Sequence, residues 1–474
     1  MTVIYAWGFL LLVGLGTDEE PLVSRSDMRT GFLRGSLRGI LLVVALGVFA
    51  TAAMAQSARL AIEHVTVINP GGRQQRDMTV IIDGAQIVSV SASKNTKIPR
   101  AAQLVDGTGK FLMPGLWDLH VHFRHAQRDL KMDVANGILA IRNMGGAGAE
   151  LYPLREKIAK GQLLGPKIVA SGAIVDGPDS FSNPEFTVSV ATPEEAREAV
   201  RAHKKEGADF IKVYDGLSHD AYFAIIDEAK RQDIPVAGHL PSAISMREAA
   251  KAGQRSLEHG MPLAAGSTME SEYIKWGVDR SVFNEALRSK NFVIIPEKIA
   301  RDNTAMLDHF QQQLADDAYR VLAKNNTFLT PTLVTERSLT FIDDLVKKPD
   351  PRMEYVSDEE LNWWKPENGM LSKYRTPEYI AMRKRQYAKM MEQIPKAQAL
   401  GVRFLAGTDI TIPYTYPGFS LHDELQLFVD AGMTPMQALE TTTTNPALLL
   451  GLSKTWGKIE PGYVANLVLL NANP

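Results

Sequence analysis

Leu112-Met113-Pro114-Gly115-Leu116-Trp117-Asp118-Leu119-His120-Val121-His122 is the stretch from which the fold is read. A Pro-Gly turn signal runs into a short apolar segment carrying two histidines two residues apart. Side chains alternate faces along a strand, so His120 and His122 point the same way. Two imidazoles side by side, where a strand gives way to a loop, form half of a divalent metal site. A lone His-x-His pair is usually accidental, so its weight rests on what the rest of the chain supplies.

Downstream, the strand-like runs Lys167 to Ala170, Phe210 to Tyr214, Pro235 to Gly238 and Val402 to Ala406 are separated by helical stretches. Thr192-Pro193-Glu194-Glu195 opens one helix with an N-cap threonine, a proline in the first turn and acidic residues beside it. From Asp220 to Lys230, Tyr222, Ile226 and Ala229 make a helical stripe facing a core. Strands alternating with helices imply a parallel sheet, and a TIM-like (β/α)8 barrel is its commonest single-domain form at this size. The fold class is therefore α/β. Met269 to Gln398 interrupts the rhythm; it reads as an elaborated region over the barrel mouth, with a strand at Phe328 to Val334 and the pair Trp363-Trp364.

Upstream, Ala61 to Ile68, Met78 to Ile82 and Ile87 to Val90 read as strands, with Asp83-Gly84 a hairpin turn. Ala465 to Leu470 is another strand near the opposite end. The expected organisation is a small β domain from residues 56–111 and 455–474, around a barrel of residues 112–454.

The 474 residues are 45% hydrophobic, and 52 Lys and Arg stand against 54 Asp and Glu. With no dense basic tract, nucleic acid is not an expected partner. The chain has no cysteine, which excludes disulfides, thiolate zinc sites and a cysteine nucleophile together. Any metal must be held by nitrogen and oxygen. Arg29, Arg34 and Arg38, the apolar run Ile40 to Ala50 and Ala53-Met54-Ala55 before Gln56 have the order of a secretory signal peptide over residues 28–55. The apolar run is short for a bilayer span. Residues 1–27 read as an upstream extension ahead of an initiator at Met28, rather than as an anchor. The mature chain is expected to be periplasmic or secreted, without a stable membrane anchor.

Further candidate ligands stand where strands should end. Lys212 lies inside Phe210-Ile211-Lys212-Val213-Tyr214, where an inward lysine is costly unless its charge is removed or paired. Carbon dioxide would convert it to a carbamate, an anionic oxygen ligand able to bridge two metals; the plainer alternative is a lysine that reaches solvent or pairs with an aspartate. His239 ends Val236-Ala237-Gly238-His239 and His259 ends Ser256-Leu257-Glu258-His259, and singly each is a satisfied core histidine. Asp409 ends Phe404-Leu405-Ala406-Gly407-Thr408-Asp409, a position that also suits a turn or an N-cap. Six such residues in barrel order are hard to credit to chance.

The sequence resembles the amidohydrolase superfamily, in the binuclear branch with imidazolonepropionase-like proteins and Xaa-Pro and related dipeptidases. The resemblance covers nearly all of the mature chain. It rests on Pro114 to His122, the strand lysine in Phe-Ile-Lys-Val-Tyr, Gly238-His239, Glu258-His259-Gly260, Ala406 to Asp409, Ser420 to Leu425 and Thr443 to Ala447. Imidazolonepropionase lacks the bridging lysine, so a dipeptidase-like or amidase-like enzyme fits better. One departure is Asn466, where the family usually has aspartate, distant from the metal residues.

The resemblance implies a small β-sandwich beside the barrel and two divalent metals, zinc first, with manganese or cobalt also accepted by such ligands. His120, His122 and Asp409 would hold the more buried metal, His239 and His259 the more exposed one, with carbamylated Lys212 and a hydroxide bridging them. Asp409 would also move the proton from the attacking oxygen to the leaving amine. Tyr214, on the same strand face as Lys212, could donate to the developing oxyanion, although a barrel-filling aromatic is the commoner role. His125 and His422 are not at strand ends and read as surface or loop residues, although His422, at the start of the helix after Asp409, could support a metal ligand from behind.

The expected activity is hydrolysis of amide or peptide-like C–N bonds in a small molecule. Tyr414 and Tyr416 near the mouth suit an apolar substrate group, and a homo-oligomer is compatible with all of this. The alternatives are ester, lactone or phosphotriester hydrolysis on the same metals, and a metal- or solute-binding barrel that has lost catalysis.

Overall fold

The computed structural model describes residues 2–4, 12–13 and 59–474, except 124, 147, 179–183, 262, 280–281, 283–284, 287–288, 290–293 and 366–374. The expected signal peptide, residues 28–55, lies outside the described residues. Among those described, no helix is long and apolar enough to cross a membrane.

The first sheet is mixed. It holds β1 (Thr2–Ile4), β2 (Leu12–Val13), β3 (Arg59–Val67), β4 (Gln75–Asp83), β5 (Gln86–Ala92), β6 (Gln103–Asp106), β7 (Phe111–Pro114) and, from the far end of the chain, β17 (Leu467–Leu470). Asp83 pairs with Gln86 around a two-residue turn in which Gly84 has φ of +58°, the left-handed conformation that makes the Asp-Gly signal informative. Strand β17 runs antiparallel to β7 and to β1, with Leu469 opposite Leu112 and Thr2. Alternate residues of these strands bury Leu60, Ile62, Val80, Ile82, Leu112 and Leu467 in one apolar cluster. Each fully buried aliphatic side chain of this kind contributes roughly 1.5–3 kcal/mol.

Two parallel sheets follow. One has β8 (Leu116–Val121), β9 (Ile138–Asn143) and β10 (Lys167–Ala170), with β9 central. The other has β11 (Ile174–Asp176), β12 (Thr187–Ser189), β13 (Ile211–Val213), β14 (Val236–Gly238), β15 (Ser256–Glu258) and β16 (Phe328–Thr330), in the order β12-β11-β13-β14-β15-β16. These strands are buried along their whole length rather than at alternate residues, and among their mainly apolar side chains stand a few polar and charged ones such as Arg142, Lys212 and Glu258. The helix Pro193–Glu206 between two of them starts with a complete Thr192/Glu195 capping box and stops at Gly207, φ +92°. The stripe read between Asp220 and Lys230 lies in the helix His219–Arg231, with Tyr222, Ile226 and Ala229 buried.

Val402 to Ala406 departs from the expected strand. It makes single bridges instead of a ladder: Phe404 with Leu329, and further on Ile410 with Val121. Its backbone groups go to several neighbours, with Leu405 N donating to Leu329 O at 2.8 Å, Leu119 N to Ala406 O at 2.9 Å and Ala406 N to Thr441 O at 3.0 Å. The segment thus lies between β16 and β8, its backbone satisfied outside regular pairing. Met269 to Gln398 is mainly helical, including Glu270–Val278, Ile294–Asp308, Gln312–Asn325, Leu333–Leu345 and Pro377–Ala399 around β16.

Candidate metal centre

His120 is the last-but-one residue of β8, and His122 follows that strand directly. His239 follows β14, His259 follows β15, and Asp409 follows the bridging segment after β16. The strands deliver these side chains to one place. Asp409 Oδ1 lies 3.7 Å from His120 Nε2 and 3.6 Å from His122 Nε2, and Asp409 Oδ2 lies 3.8 Å from His259 Nδ1. The His259 ring centroid is 4.5 Å from those of both His120 and His239.

The backbone is bent to this end. Asp409 and His259 have φ of +51° and +64°, in the left-handed region that costs non-glycine residues about 1–3 kcal/mol. Asp409 N donates to His120 O at 2.7 Å and His259 N to Thr330 O at 2.9 Å, which holds both turns. Gly238 is glycine for a packing reason as well: a Cβ there would stand 2.3 Å from Val213 O and 3.0 Å from Lys212 Cδ.

Each imidazole has a partner at Nδ1. His120 Nδ1 lies 3.0 Å from Glu258 Oε2, His122 Nδ1 2.8 Å from Gly145 O, His239 Nδ1 2.9 Å from Asp215 Oδ1, and His259 Nδ1 3.0 Å from Thr332 Oγ1. Carbonyl and carboxylate oxygens only accept, so for the first three Nδ1 carries the proton and Nε2 keeps its lone pair. His120 Nε2 is buried and without a hydrogen-bond partner among the described residues. Burial, reinforced by the Lys212 charge, holds His120 and His239 well below the usual histidine range and His122 down at about 4. Burial and the neighbouring His239 do the same to His259. The rings are thereby kept neutral, the form that binds metal.

Lys212, in β13, is fully buried, and its Nζ has no hydrogen-bond partner among the described residues. Burial lowers its affinity for a proton and raises that of Asp409. Tyr214 lies near both Lys212 and His239: its ring centroid is 5.8 Å from Lys212 Nζ and 3.9 Å from the His239 ring. His120, His259 and Asp409 present donor atoms that all lie within 4.8 Å of one another. Neutral imidazoles and a carboxylate, with an orphaned Nε2 aimed among them, fit a divalent cation.

His125 and His422 stand apart from this cluster. His125 precedes the helix Ala126–Ala135 with its side chain half exposed, and His422 Nε2 bonds to Asn136 O at 3.0 Å.

The sequence reading missed the support beneath the imidazoles. Arg142 is buried in β9; its Nη2 donates to both Glu258 oxygens at 2.8 and 3.0 Å, its Nε to Leu119 O at 2.7 Å and its Nη1 to Ser256 Oγ at 2.9 Å. Asp118 accepts from Thr408 N and Oγ1 at 3.0 and 2.7 Å, and burial pushes its carboxyl up to about 7. A charge at the end of the apolar run Ile138-Leu139-Ala140-Ile141, at Arg142, was the available signal, akin to that of Lys212.

The sequence model of the Amidohydrolase family matches residues 111–474. Ochratoxinase from Aspergillus niger is 23% identical over 487 aligned positions, covering 89% of this chain and 83% of that protein. Among solved structures, a Bifidobacterium longum protein assigned as a prolidase superposes with a TM-score of 0.64 at 26% identity, covering 88% of this chain and 90% of its own. A Xaa-Pro dipeptidase with methionine bound in its active site gives 0.61 at 20% identity, covering 88% and 95%. The family match spans the buried His/Asp cluster and every strand that carries it, and the chain therefore belongs to the amidohydrolase family, as a hydrolase acting on carbon–nitrogen bonds.

Proposed function

We propose that this protein is a periplasmic or secreted enzyme that cleaves amide or peptide-like C–N bonds of small molecules with two divalent metal ions. His120, His122 and Asp409 would hold one ion, His239 and His259 the other, and Lys212 would join them as its carbamate. The observation that carries this reading is the convergence of four neutral imidazoles and Asp409 beside a buried Lys212 amine that has no hydrogen-bond partner among the described residues. Metal ions held there acidify water and polarise a carbonyl.

The residues of the chain do the rest. Burial favours the neutral Lys212 amine, the form that adds to carbon dioxide with loss of a proton. Asp409 takes the proton from the attacking water and delivers it to the departing nitrogen as the C–N bond breaks. Tyr214, whose ring packs against His239, would donate to the carbonyl oxygen as charge builds on it. The substrates we favour are dipeptides or N-acyl amino acids; Xaa-Pro dipeptidase and ochratoxinase are the names carried by similar proteins.

The reading includes a closed (β/α)8 barrel over residues 112–454, joined by the backbone bonds of Phe404 to Ile410, with a β-sandwich from residues 56–111 and 455–474 and a cleaved leader over 28–55. The test is elemental analysis of the purified protein, produced with bicarbonate and divalent metal, followed by a panel of dipeptides, N-acyl amino acids and aryl esters. About two metals per chain with amide turnover is the expected result. One metal or none removes the carbamate bridge, and ester turnover without amide turnover sinks the reading.

A further inference from the structure

Next to the imidazoles lies a cavity of about 520 Å3, within the size range of small-molecule sites. Its near wall is built from the residues that follow the histidines: Leu240 and Pro241 after His239, and Met261 beyond His259. Asp215, which bonds to His239 Nδ1, also borders it. The far wall includes Trp276 and Ile299, on the helices Glu270–Val278 and Ile294–Asp308. The cavity thus borders Asp215, the partner of His239, and is lined on several sides by the apolar side chains of Leu240, Met261, Trp276 and Ile299.

Its charged groups are already engaged. Lys298 Nζ donates to Asp302 Oδ2 at 2.6 Å and to Trp276 O at 2.9 Å, and Glu270 Oε2 accepts from Arg247 Nη1 at 2.8 Å. An ionised ligand group would have to break one of these pairs in a partly buried setting, whereas a neutral apolar group breaks none.

We infer that this cavity receives a neutral apolar arm of the substrate, a medium-chain acyl or aromatic group attached at the scissile amide. The inference rests on the amide-hydrolase reading and narrows it to lipophilic N-acyl compounds. Each methylene buried there is worth about 0.8 kcal/mol, so kcat/KM climbs several-fold per carbon until the cavity is filled.

The experiment uses the metal-loaded full chain and N-acetyl-, N-butanoyl- and N-octanoyl-methionine, together with calorimetric binding of 1-octanol to the metal-free protein. Wild type is expected to prefer the octanoyl over the acetyl substrate by more than tenfold and to bind 1-octanol. In Ile299→Trp, and in Ala264→Phe as a second way of filling the space, that preference and the 1-octanol affinity each fall at least tenfold. Circular dichroism establishes that a variant is folded before it is compared. A flat dependence on chain length, or 1-octanol binding that is absent from wild type or equal in the filled variants, overturns the inference. Binding of 1-octanol that the filled variants lose, in a protein that hydrolyses no amide, supports the apolar site and removes the hydrolytic reading instead.

Discussion

Glu258 Oε2 lies 3.0 Å from His120 Nδ1 while both oxygens of the same carboxylate accept from Arg142 Nη2, and all three side chains are almost entirely shielded from solvent. The carboxylate fixes the tautomer of His120 so that Nε2 faces Asp409, and Arg142 holds that carboxylate in place with two hydrogen bonds. A charge pair in such a place costs desolvation that it only partly recovers, so its value lies in orientation more than in stability.

Glu258→Gln keeps the shape and removes the charge. Metal affinity is expected to fall about 10–100-fold, the usual effect of losing a ligand's outer partner. Stability should drop by up to about 3–5 kcal/mol, because Arg142 is left buried without a counter-charge. Metal content after dialysis against a weak chelator, with thermal unfolding, checks both. Unchanged metal retention would mean that Glu258 serves Arg142 alone.

Lys212→Met should behave in the opposite way. The Nζ has no hydrogen-bond partner among the described residues, and an unsatisfied buried polar group costs about 1–3 kcal/mol. Replacing it with an apolar side chain of similar length should leave the metal-free protein as stable as wild type or more so. Metal stoichiometry should fall from two to one, and bicarbonate should no longer matter to loading. A Lys212→Met protein that still binds two metals refutes the carbamate.

How far the sequence foretold this varies with distance along the chain. His120 and His122 were legible because strand alternation is local, and Lys212 because an ammonium inside Ile211 and Val213 has few explanations. The partners of Nδ1 were not, since Glu258 reaches His120 from another strand, and nothing local says which carboxylate meets which ring. Arg142 carried the same signal as Lys212 but is spent on Glu258 and Ser256 rather than on chemistry. Val402 to Ala406 looks like a strand because it is apolar, yet its hydrogen bonds are divided among Leu329, Leu119 and Thr441. The apolar cavity was invisible, as its far wall comes from the helices Glu270–Val278 and Ile294–Asp308, distant in sequence from His239.

Glu424 gives a pH signature apart from the metal ligands. Its two oxygens accept from Leu333 N at 2.9 Å and Val334 N at 2.7 Å, at the start of the helix Leu333–Leu345, and burial pushes its carboxyl up to about 8. The folded state therefore holds this proton more tightly than the unfolded state. The stabilisation from the proton is fully present below the unfolded value of about 4.5 and is lost as pH rises through about 8. Glu424→Gln, neutral at every pH, should gain on wild type by a few kcal/mol between those limits. Denaturant unfolding of both proteins from pH 4.5 to 8.5 checks it, and a pH-independent difference would show that the helix N–H groups keep the carboxylate ionised.

Gly407 packs tightly against the His-x-His strand. A Cβ built there stands 2.7 Å from His120 Cβ, 2.8 Å from Thr330 Cγ2 and 3.0 Å from His120 N, all short of van der Waals contact. None of these neighbours is the far end of a flexible chain: two lie on the His120 residue itself, and Thr330 is buried in β16. Gly407→Ala must therefore move either His120 or the turn that carries Asp409, and the two are linked by the Asp409 N to His120 O bond at 2.7 Å. Overpacking of this kind typically costs about 1–3 kcal/mol, so the variant should fold with a lowered melting temperature. Displacing two of the proposed ligands should cost it the buried metal first, leaving His239 and His259 to hold one ion weakly. Metal titration followed by calorimetry distinguishes this from general destabilisation: a variant with the lower melting temperature but wild-type affinity at both sites would show that the strand yields without disturbing His120, and that Gly407 serves packing alone.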